Sequence, residues 1–104
     1  MNNDAISRLI RTYPDFPKPG ILFYDVSSII ENVQGLRLVV ESLTQLVEEK
    51  TPDVLAAIDS RGFLFAPPVA LACDIGVVLV RKFGKLPGDT FDESYGFEYG
   101  EEVL

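Results

Sequence analysis

The chain has 104 residues, 47% of them hydrophobic, with one cysteine, no histidine and a formal net charge of −7. This length holds at most one small domain. The acidic balance argues against non-specific binding to nucleic acid or anionic membranes, and the absence of histidine excludes Ser-His-Asp and Cys-His catalysis and most zinc sites.

Proton transfer must therefore use a carboxylate, a tyrosine, a lysine or water. No apolar run is long enough to span a bilayer. Met1-Asn2-Asn3-Asp4 offers neither a basic n-region nor an apolar h-region, so cytoplasmic residence is the expectation. Cys73 lies among Ala70, Leu71 and Ala72 in an apolar helical pattern, which reads as a buried, inert thiol.

In chain order, Asp4 can cap a short helix whose apolar face is Ile6, Leu9 and Ile10. Pro14, Pro17, Pro19 and Gly20 then predict an irregular segment. Ile21–Tyr24 reads as a short strand, and Asp25-Val26-Ser27-Ser28 as the turn out of it. Leu36, Val39, Val40, Leu43, Leu46 and Val47 follow helical spacing from about Gly35 to Lys50, with Glu41, Gln45, Glu48 and Glu49 opposite. Thr51-Pro52-Asp53 stops that helix.

Val54–Ile58 is an unbroken apolar run, read as a strand buried on both faces. Asp59-Ser60-Arg61-Gly62 turns the chain, and a third helix is expected from about Phe65 to Asp74. Pro67 and Pro68 would suit only its first turn, where N–H groups lack intrahelical partners. Val77–Val80 is a second buried strand, so strand, helix and strand predict a parallel pair with a crossover helix. Gly84 to about Thr90 reads as loop, with Pro87-Gly88 a turn. Ser94–Tyr99 reads as one limb of an extended hairpin arm, with Gly100 its turn and Val103-Leu104 the start of the return. Two parallel strands and a truncated hairpin make a thin sheet with an open edge, so residues 1–104 are expected to be the front portion of a single larger domain.

Three constellations carry chemistry. In open parallel sheets, ligands bind where strands end and helices begin. Ser60-Arg61-Gly62 follows one strand and Arg81-Lys82, with Lys85, follows the next. Loops at the same edge of neighbouring parallel strands can converge on one pyrophosphate-sized anion, through backbone N–H groups and guanidinium forks; the competing reading is two solvated basic loops. Phe23-Tyr24 after the proline-rich loop offers rings that could stack on a heterocycle, although core aromatics are commoner. Glu98-Tyr99-Gly100 could close over a ligand and exchange a proton with it, although most exposed glutamates are only solvated.

Together, Pro14-Asp15-Phe16-Pro17-Lys18-Pro19-Gly20, Phe23 with Asp25, Asp59–Phe65, Arg81–Gly88, Ser94-Tyr95 and Glu98-Tyr99-Gly100 resemble the adenine phosphoribosyltransferase family, in order and spacing, from about Ile6 to the last residue. The resemblance implies an α/β, incomplete type I phosphoribosyltransferase fold: a parallel sheet with flanking helices plus an extended hairpin arm. It implies purine salvage, in which phosphoribose passes from phosphoribosyl pyrophosphate to adenine, giving AMP and pyrophosphate with Mg2+. Leu22, Phe23 and Tyr24 would line the adenine pocket. Ser60, Arg61 and Gly62 would bind pyrophosphate, and Arg81, Lys82 and Lys85 would add cationic contacts, some of them reaching across a homodimer interface. Glu98 would be the catalytic acid/base and Tyr99 would sit on the closing arm. No protein metal ligand is implied, and the expected partners are the two small substrates and a second copy in a homodimer, with no nucleic acid and no membrane.

The chain departs from the family twice. Tyr24 stands where the family usually has arginine, and the family's signature of an apolar strand, two acids and a Thr-Gly-Gly loop is absent. The chain alone is therefore expected to be inactive or nearly so. A non-catalytic purine- or nucleotide-binding module and a non-functional truncation stand as alternatives.

Overall fold

The computed structural model describes residues 3–91, 94–97 and 100–103, with side chains for residues 4–91. The chain divides into two compact units, Met1–Thr51 and Pro52–Leu104.

In the first unit, helix α1 (Asn3–Leu9) carries Asp4 in its first turn and Arg8 in its last, both favourable to the helix dipole. Strand β1 (Arg11–Pro14) pairs antiparallel with β2 (Leu22–Asp25), in register from Arg11↔Asp25 to Pro14↔Leu22. The segment expected to be irregular thus begins as a strand. In a two-stranded sheet both strands are edges, where proline is tolerated. The connecting loop is closed by Asp15, whose carboxylate accepts the Gly20 N–H at 2.9 Å, and by the Phe16 N–H donating to the Ile21 carbonyl at 3.1 Å.

The expected turn at 25–28 leads instead into a one-turn helix, α2 (Ser27–Ile30), which buries Ile29. Ser28 explains its position. Its hydroxyl accepts the Arg11 N–H at 3.2 Å and lies 2.6 Å from the Leu9 carbonyl and 2.9 Å from that of Asp25. One buried side chain therefore ties the end of α1, the start of β1 and the end of β2. Arg11 adds ion pairs to Asp25 at 3.6 Å and Glu31 at 3.3 Å, which at this exposure contribute little by themselves.

Helix α3 (Val33–Lys50) starts two residues earlier than its apolar spacing indicates, because Asn32 caps it. The Asn32 side chain accepts the Gln34 and Gly35 N–H groups at 2.9 and 3.2 Å. At Gly35 a Cβ would stand 3.2 Å from the Ile29 carbonyl oxygen and 3.0 Å from Leu9 Cδ1, so glycine lets α2 and α3 approach.

In the second unit, β3 (Val54–Ile58) and β4 (Gly76–Val80) pair in parallel from Val54↔Gly76 to Ile58↔Val80, connected through helix α4 (Gly62–Ala72). The expected parallel pair with a helical connection is present, with two corrections. Along β3 only Ala57 is buried; Val54, Ala56 and Ile58 alternate with it and are exposed, as are Val78 and Leu79 of β4. The strands are therefore not covered on both faces: the two-residue period puts Leu55 and Ala57 on one side of the pleat and their exposed neighbours on the other. Secondly, α4 begins at Gly62, so Pro67 and Pro68 lie in its interior. At that start the backbone runs close to β3, where a Cβ on Gly62 would come within 3.2 Å of the Ala57 carbonyl carbon. The two prolines withhold two N–H donors from the helical ladder. Val69 and Ala70 are the buried residues of α4, and Cys73 after it is half-buried rather than buried.

Strands β5 (Ser94–Phe97) and β6 (Gly100–Val103) form the expected antiparallel arm. Gly100, read as the turn, is instead the first residue of β6, paired with Phe97.

The cap of α3 gives a direct test. Asn32→Ala should lower the unfolding free energy by about 1 kcal/mol and Asn32→Gly by only a few tenths, read from urea midpoints.

Candidate anion site at the ends of two parallel strands

The second unit brings both predicted basic loops to one edge of the β3–β4 pair. The ladder continues one residue past β3, where the Asp59 N–H donates to the Val80 carbonyl at 2.8 Å. The Asp59–Ser60 peptide bond is cis. Asp59 Oδ2 then accepts from Arg81 Nε and from the Lys82 backbone N–H, each at 3.3 Å. The Asp59 side chain is only 11% exposed and that of Arg81 31%, so this pair is shielded, unlike an ordinary surface ion pair. Beyond the carboxylate, the Arg81 guanidinium carbon lies 5.5 Å from the Phe63 ring centroid, within cation–π range.

Asp59 and Phe63 flank Ser60-Arg61-Gly62, so the structure brings Arg81 and the Lys82 backbone against the first loop. Ser60 and Arg61 are exposed, and their carbonyls accept the Phe63 and Leu64 N–H groups at 3.1 and 3.0 Å as α4 begins. Lys85 stays in the second loop, where its N–H donates to the Lys82 carbonyl at 3.1 Å. A cavity of about 500 Å³ opens beside this edge, with Val78, Val80 and Leu86 as apolar lining and Arg81, Lys82 and Asp89 as polar lining. Ser60, Arg61 and Gly62 do not line it.

In the first unit, Leu22, Phe23 and Tyr24 do not share a surface. Phe23 packs edge-on against Phe16, ring centroids 5.0 Å apart, whereas Leu22 and Tyr24 stand on the other face of β2, 48% and 55% exposed. Glu98 and Tyr99 lie outside the described residues.

Asp59 and Phe16 fall within the motifs that carry the resemblance, but the sequence alone gave neither a role of its own. The signal for Asp59 was available: once two parallel strands pair Ile58 with Val80, the next residues on each are an acid and an arginine.

No family model matches the chain. Among curated relatives, the adenine phosphoribosyltransferase of Rhodospirillum centenum is 50% identical over 95 residues, 91% of this chain and 56% of the relative. That of Treponema denticola is 45% identical over 101 residues, 97% of this chain and 53% of the relative. This chain is a homologue of adenine phosphoribosyltransferases. Two solved adenine phosphoribosyltransferases share its fold. The Saccharomyces cerevisiae enzyme, complexed with adenine and an imino-altritol bisphosphate, matches with a TM-score of 0.86 at 38% identity, over 96% of this chain and 59% of that one. The Giardia lamblia enzyme, complexed with 9-deazaadenine, matches with a TM-score of 0.89 at 35% identity, over 99% and 57%. The chain spans just over half the length of the adenine phosphoribosyltransferases it matches.

The Lys82 N–H, then the hydrogen bond and charge of Arg81, hold the Asp59 carboxyl below its ordinary value of 3.8, against a partial opposing effect of desolvation. A carboxyl with a lowered folded pKa contributes stability that is complete above the unfolded value and is lost as pH falls through the folded one. A carbon-13 NMR titration of Asp59 should therefore give a midpoint below 3.8, and Arg81→Gln should move it upward. A wild-type midpoint at or above 3.8 would contradict the bridge.

Proposed function

We propose that this chain provides the diphosphate-binding and base-binding parts of an adenine phosphoribosyltransferase, which forms AMP and pyrophosphate from adenine and phosphoribosyl pyrophosphate. The observation that supports this most is the approach of the two basic loops, Arg81 lying against the residues on either side of Ser60-Arg61-Gly62.

In this reading the reaction forms a bond from adenine N9 to ribose C1 and breaks the bond from C1 to the diphosphate oxygen. The sugar gains positive charge and the leaving group negative charge as the bond stretches. Arg61, Arg81, Lys82 and Lys85, with backbone N–H groups of the 60–62 turn, would stabilise the departing diphosphate because they are in place before charge develops. Glu98 would take the N9 proton and Tyr99 would close over the site. Leu22, Phe23 and Tyr24 would face adenine. Since Phe23 is turned toward Phe16, the exposed faces of Leu22 and Tyr24 and the backbone between them are the parts open to a base.

Mg2+ would enter with the substrate. It commonly binds through substrate phosphates with few protein ligands. The described residues assemble no group of three or more His, Cys, Asp or Glu suited to a metal. Among them no helix is long and apolar enough to cross a membrane. A cytoplasmic homodimer completes the reading.

Calorimetric titration of the chain with inorganic pyrophosphate tests it. Saturable binding is expected, and Arg61→Ala should weaken it at least tenfold, the scale of one charge-assisted hydrogen bond. Absence of saturable heat with both pyrophosphate and phosphoribosyl pyrophosphate would overturn the proposal. Saturable purine binding with no AMP formed from adenine and phosphoribosyl pyrophosphate would favour a non-catalytic binding module.

A further inference from the structure

We infer that Asp59 is a positioning residue, which orders Arg81 and the Lys82 N–H for a diphosphate before the ligand arrives. The inference rests on the reading of the two loops as a diphosphate cradle. An arginine near the surface samples many rotamers, and ordering it on binding subtracts from affinity. Here that ordering is done in advance. The Asp59 carboxylate takes Nε at 3.3 Å, and the Phe63 ring lies 5.5 Å from the guanidinium carbon. Nε–H is only one of five guanidinium donors, so the Nη groups lie outside this bond and can serve an anion. The Asp59 backbone is itself anchored, its N–H bound to the Val80 carbonyl at 2.8 Å, and its carboxylate holds the Lys82 N–H as well at 3.3 Å. One acid thus locks the second basic loop to the first through its backbone and its side chain together.

A negative group beside an anion site could also act as a competitor that must let go of Arg81 when the ligand binds. The geometry favours positioning. Asp59 engages Arg81 Nε and the Lys82 backbone N–H, each at 3.3 Å, and the Nη groups lie outside those bonds. The two roles differ in sign: losing a competitor tightens binding, and losing a positioning group weakens it.

The test uses the 104-residue chain labelled with nitrogen-15. The Arg81 Nε–H resonance and the backbone amides are followed as inorganic pyrophosphate is added. In wild type the Nε–H should exchange slowly with water and shift on adding pyrophosphate. In Asp59→Ala that signal should be lost to exchange, amides of Val54–Ile58 should keep their shifts, and pyrophosphate should bind about tenfold more weakly. Asp59→Asn retains an acceptor oxygen without the charge and should fall between the two. An Nε–H signal unchanged in both variants, or pyrophosphate binding as tight as wild type or tighter, would overturn the inference. Wild-type chain whose 60–62 amides ignore pyrophosphate would remove the diphosphate reading. Loss of the Nε–H signal in Asp59→Ala would still show that Asp59 holds Arg81.

Discussion

One carboxylate joins the two basic loops. Parallel strands bring loops to the same edge of a sheet but do not by themselves bring the loops together, because each is free to lean away once the ladder ends. Asp59 removes that freedom by extending the ladder with its N–H and gripping Arg81 and Lys82 with its side chain. The charge distribution then makes chemical sense. An acidic chain carries Arg61, Arg81, Lys82 and Lys85 in two loops at one edge of a strand pair, the placement that the proposed diphosphate site uses.

Few side chains are fully buried among the described residues: Ile29 is the buried apolar residue of the first unit, and Ala57, Val69 and Ala70 are those of the second. Local polar anchors add much of the definition. Ser28 fastens three elements in the first unit, and Asp59 fastens two loops in the second. A partly buried hydrogen bond to a fixed partner constrains geometry more than its modest net energy suggests, because breaking it leaves a polar group unsatisfied. Glycine does the complementary work where backbones come closest, at Gly35 against Ile29 and at Gly62 against Ala57.

The long amphipathic helix, the parallel pair and the placement of both basic loops were legible because each follows from a strong local period or a topological rule. The short helix at Ser27–Ile30 was not, since its position depends on a serine hydroxyl reaching residues 17 and 19 positions away. The β1–β2 pairing was hidden by prolines that a strand at a sheet edge tolerates. The start of α4 was misplaced because proline positions suggested a later first turn, whereas the helix begins at Gly62, close against Ala57, with both prolines in its interior. Apolar composition also overstated burial: Val54, Ile58, Val78 and Leu79 belong to regular strands and are nevertheless exposed. Of the site, the cations were visible as residue types, and the acid that holds Arg81 became visible through register.

The most direct test of this account is a crystal structure of the chain grown with inorganic pyrophosphate. One diphosphate contacting Arg61 and Arg81 together, with Arg81 Nε still bonded to Asp59, is the predicted result. Arg61 and Arg81 directed to opposite sides of the β3–β4 pair, with the diphosphate on neither or on only one, would contradict it.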